Sequence, residues 1–73
     1  MNREVEKKLR EVFIEVYPYL HNIREVEAIL NELAKLSSIN EIRSHLEKLL
    51  RAVKDPILAT DLKILLNKLA SSR

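Results

Sequence analysis

Apolar residues recur along this chain at the three- and four-residue spacings of a helix face, in four successive stretches. In the first, roughly residues 2–17, Val5, Leu9, Val12, Phe13 and Val16 share one face, and Glu4, Lys7, Lys8, Glu11 and Glu15 lie mostly opposite. Pro18 lacks an N–H and disfavours helical geometry at Tyr17, so the helix is predicted to end or kink there. The second stretch, 23–36, carries Ile23, Val26, Ile29, Leu30, Leu33 and Leu36 as its stripe. Asn22 three residues before Glu25 has the spacing of a capping box, and the serines at 37 and 38 close the helix.

The third stretch, 39–54, opens with a second capping box, Ser38 with Glu41. Its stripe is Ile42, Leu46, Leu49, Leu50 and Val53, and Arg51 and Lys54 are expected in the last turn, where positive charge suits the helix dipole. The fourth, 56–70, starts at Asp55 as N-cap and Pro56 at the first helical position. Leu58, Leu62, Leu65, Leu66 and Leu69 form its stripe.

The predicted connections are short, which makes sequential helices pack antiparallel. The fold predicted for residues 1–73 is therefore a single all-α domain, an up-down-up-down four-helix bundle. Leu30, Leu46, Leu49, Leu62, Leu65 and Leu69 are its expected core. In the alternative arrangement, helix one kinks at Pro18 and swings away from the other three.

Composition sharpens this picture. A chain of 73 residues has a thin stability margin. With no cysteine there is neither a disulfide nor a thiolate zinc site to support it, so thirteen Leu, seven Ile and five Val must supply the core. The formal charge of +2 is too even to imply a nucleic-acid or membrane partner. Gly and Gln are absent and Lys, Glu, Ile and Leu are common, a thermophile-like balance. The N-terminal stretch lacks the apolar core of a signal peptide, and a cytoplasmic location is expected.

Candidate chemistry is sparse. His21 with Glu25, and Glu41 with His45, are spaced four apart, but neither supplies the Glu-x-x-His pattern of a bundle di-iron site. There is no Cys nucleophile and no Gly to build a phosphate loop. The expectation is a non-enzyme with no cofactor and no metal.

Glu32, Leu33 and Ala34, followed by Ser38, Ile42, His45, Leu46 and Leu49, form a recognisable pattern. This stretch resembles the helix-turn-helix of winged-helix transcription regulators. It departs in its short Gly-free turn, in the late position of "ELA" within its helix, and in having no β-wing after it. The resemblance implies nucleic-acid binding by the hairpin 32–50, with Arg43, Lys48, Arg51 and Lys54 as the basic face of helix three. Glu47 interrupts that face.

A few large apolar residues fall off the core stripes. Ile14 lies opposite the stripe of helix one, with Tyr17 beside it, and Ile57 and Ile64 form a second stripe on helix four. In an up-down bundle the end of helix one is expected beside the start of helix four, collecting Ile14, Tyr17, Ile57 and Ile64 into one patch. The favoured reading is an interaction module that binds another protein, or itself, through helices one and four. Nucleic-acid binding through helix three is the alternative. Membrane-surface binding by an opened bundle is the weaker one.

Overall fold

The computed structural model describes residues 3–71. Helix α1 spans Arg3–Val16, α2 Ile23–Leu33, α3 Ile39–Ala52 and α4 Pro56–Ser71, and the described residues contain no strand. No described helix is long and apolar enough to cross a membrane. The radius of gyration is 11.1 Å, against about 11 Å for a compact chain of this length. Helix α1 is packed against the rest of the molecule, chiefly α4, and does not swing out.

Helix α1 buries Val5, Leu9, Val12 and Val16, as its periodicity predicts. At Pro18 the chain tightens into a 3₁₀ turn, Tyr17–Tyr19, with all peptide bonds trans. Leu20 then takes an extended backbone and buries its side chain. That hook reverses the chain towards α2.

Helix α2 is three residues shorter than expected. It stops at Leu33, and Lys35 N–H and Leu36 N–H donate to carbonyls three residues back, at 3.2 and 3.0 Å. This tightening is a common way to satisfy a helix end. Leu36 lies outside the helix but still packs on the core. Helix α3 ends at Ala52 and Val53 is extended, so Lys54 lies in the connection and not in the last turn. Pro56 disfavours helical geometry at Asp55. Asp55 Oδ1 accepts from Ile57 N–H at 2.9 Å, the N-cap expected for α4.

The core is aliphatic. Ile42, Leu46, Leu62, Leu65 and Val26 are each 1% exposed or less. Burying a side chain of this size contributes about 1.5–3 kcal/mol. Leu49, expected in this set, is only half-buried and packs at the margin.

Backbone proximity is concentrated on α4, which lies against α1, α2 and α3. A helix with three neighbours needs a wide apolar arc. Helix α4 has one: Leu58, Leu62, Leu65 and Leu69 are buried, with Ile64 and Leu66 half-buried beside them.

Candidate functional site

Asp61 is a charged side chain buried completely on the core-facing side of α4. Its carboxylate accepts the N–H of His21 on both oxygens, at 3.1 and 3.0 Å, and the N–H of Asn22 at 2.7 Å. His21 Nδ1 lies 3.3 Å from Oδ1. These donors sit at the start of α2, where the helix dipole also favours negative charge. Burial alone pushes the Asp61 pKa up, but the Asn22 and His21 N–H donors, the imidazole contact and the His21 charge outweigh it. The group is held below its ordinary value.

The His21 ring is 65% exposed, so its contact with Asp61 adds little compared with the two backbone amides. No group of three or more His, Cys, Asp or Glu side chains among the described residues could hold a metal. Its bonds to the His21 and Asn22 amides make Asp61 an anchor. It fixes the turn between α1 and α2 onto α4.

This anchor overturns one local expectation. The Asn22 side chain makes no cap hydrogen bond and instead lies 3.4 Å from Asp55 Oδ2. The two helical His–Glu pairs are likewise diverted. His21 turns to Asp61, and Glu41 accepts from Ser37 Oγ at 2.8 Å.

Of the four predicted contact residues, Ile14, Tyr17 and Ile57 are 66%, 48% and 51% exposed. Ile64 is half-buried and packs on the core. The structure does not bring the four into one patch. Glu15 is paired with Lys68 Nζ at 2.6 Å, so the end of α1 lies beside the last turns of α4. Ile57 is eleven residues before Lys68, about 16 Å away along the helix.

Residues 15–21 run antiparallel to α4. Glu15 meets Lys68, Tyr19 shares a groove with Ile64, and His21 meets Asp61. The six residues 17–22, which lead from α1 to α2, run along the side of α4 and separate Ile14 from Ile57. Tyr19, 66% exposed, is a large exposed side chain that lies on none of the helical stripes. Its position beyond a proline removes it from any helical stripe.

A second surface feature lies on the other flank of α1. A cleft of about 290 Å³ opens between α1 and α2, floored by Leu9, Phe13, Leu30 and Ala34. Glu6, Arg10 and Glu27 stand at its rim. Phe13 continues the apolar surface to Tyr17 through an edge-to-face contact, with centroids 5.6 Å apart.

On the basic side, Lys48, Arg51 and Lys54 are exposed. Arg43 does not stand with them: it is half-buried, and its Nε is buried with no hydrogen-bond partner.

The family model for the MJ1579 family matches residues 6–73, and the chain belongs to that family. No curated protein and no solved structure matches it.

Proposed function

We propose that this member of the MJ1579 family is a small non-catalytic interaction module, acting in the cytoplasm, that binds another protein or itself. One observation carries the reading. The exposed large apolar residues Ile14, Tyr17, Tyr19 and Ile57 all lie on α1, the tyrosine turn or the first turn of α4. Helices α2 and α3 supply none of them. Aromatic and isoleucine side chains left in water on a small bundle are what contact surfaces are built from.

The test replaces Ile14 and Ile57 together by Lys. Both side chains are largely outside the core, so the double variant should keep its helix content and melt within a few degrees of the parent. Self-association by sedimentation, and capture of a partner from the native host, should both be lost. Unchanged association in the folded double variant would overturn the reading.

A second reading, nucleic-acid binding, has one observation in its favour. Lys48, Arg51 and Lys54 are exposed, and none engages in an ion pair or side-chain hydrogen bond among the described residues. Affinity for DNA or RNA that falls steeply with salt, and falls less steeply in Arg51→Ala, would support it.

A further inference from the structure

Helix α1 carries a ridge and a groove side by side. Arg3, Lys7, Arg10 and Ile14 are exposed and spaced four, three and four apart, one line along the outer face, which Tyr17 extends. The cleft against α2 runs next to that line, and Arg10 belongs to both. Their charges differ, with Arg10 shared between them. The ridge is basic before Ile14, whereas Glu6 and Glu27 rim the groove. The short connection makes α1 and α2 antiparallel. Glu27, early in α2, then stands at the Phe13 end of the cleft, and Glu6 at the other end.

A largely basic ridge beside a groove rimmed by the carboxylates Glu6 and Glu27 is self-complementary under a two-fold axis. We propose that the partner is a second copy of this chain, with the two α1 helices packed antiparallel and each ridge laid in the other's groove. The proposal deepens the interaction-module reading and rests on it. In the register that puts Tyr17 of one copy at Glu6 of the other, the Tyr17 hydroxyl can donate to the Glu6 carboxylate. The same register brings Arg10 of each copy over Phe13 and towards Glu27 of the other, a cation–π and ion-pair arrangement. Ile14 then covers the apolar floor near Leu9. Arg10 is free to take this role, because its contact with Glu6 in its own chain is long, at 3.8 Å, and exposed.

The experiment is sedimentation equilibrium of the full chain up to about 1 mM, where even weak association registers. The parent should move reversibly from 8.5 kDa to twice that mass. Ile14→Lys places a charge on the apolar floor, and Tyr17→Glu sets a carboxylate against Glu6. Each should weaken the dimer by at least about 30-fold, with circular dichroism and melting temperature unchanged. Ile57→Lys, far from α1's ridge, should dimerise like the parent.

A single 8.5 kDa species at every concentration would overturn the second-copy proposal while leaving binding to a different protein in place. A dimer broken by Ile57→Lys and untouched by Ile14→Lys would overturn the α1 groove as its seat.

Discussion

Helices α2 and α3 begin with nearly the same four letters, "NIRE" and "SINE", and fold their first turns in different ways. Ser38 has an extended backbone, φ −147° and ψ 158°, and its hydroxyl accepts from Glu41 N–H at 3.2 Å. Asn22 has φ −100° and ψ 66°, and its side chain caps nothing. The amides of His21 and Asn22 are held instead by Asp61, thirty-nine to forty residues along the chain. A local cap fixes where a helix starts. A cap borrowed from another helix fixes both the start and the seat of the whole turn on its neighbour. The second kind is the one that positions Tyr17 and Tyr19 here.

The sharpest way to break this contrast is Asp61→Ala. It leaves two backbone N–H groups beside an apolar site without their acceptor, and the loss should be about 3–5 kcal/mol. On a chain this small that approaches the whole stability, so urea denaturation should show a large fall in midpoint. A loss below about 1 kcal/mol would mean that the carboxylate is not the anchor.

Acid probes the same group more gently, since protonation keeps both oxygens in place. The folded pKa of Asp61 lies below its ordinary value, so the unfolded chain takes up the proton first. The stabilisation is therefore present above about pH 4 and is lost as pH falls through the folded pKa. Asp61→Asn should be less stable near neutrality and should close the gap with the parent under acid. Comparing the two chains removes the contribution of the other carboxylates. A gap that stays constant with pH would show that the charge contributes nothing.

The same contrast explains what could be read in the chain beforehand. Ser38 and Glu41, and Asp55 and Pro56, are legible because each partner lies within three residues, where turn geometry alone decides contact. The aliphatic stripes are legible because burial follows the helical period. Asp61 is harder to read because its partners are distant, yet it leaves a trace: it is an aspartate between Leu58 and Leu62, on the edge of a buried stripe. A carboxylate there must find donors. The register of α1 on α4 is hidden for the same reason. Nothing local indicates that residues 17–22 run down the side of α4 before α2 begins, so Ile14 and Ile57 were expected together and are apart.

At the other cap, Ser38→Ala removes one hydrogen bond to one first-turn amide. The expected loss is about 1 kcal/mol, read as a modest fall in melting temperature with the fold unchanged. The local link from Ser37 to Glu41 remains and limits the damage to the first turn of α3. A loss as large as that of Asp61→Ala would erase the distinction between local and borrowed caps.

The smallest effect should come from the residue that looks most like a cap. Asn22→Ala keeps the backbone N–H that Asp61 holds at 2.7 Å and deletes only an exposed contact of 3.4 Å to Asp55. The expected cost is under about 0.5 kcal/mol, although Asn-to-Ala at a working N-cap costs about twice that or more. Combining Asn22→Ala with Asp61→Asn should give simple addition of the two losses, because the bond that matters runs through the main chain, which alanine retains. Coupling between the two substitutions, or a cost for Asn22→Ala matching that of Ser38→Ala, would mean that the amide side chain caps α2 in solution. The anchor would then be shared between Asn22 and Asp61.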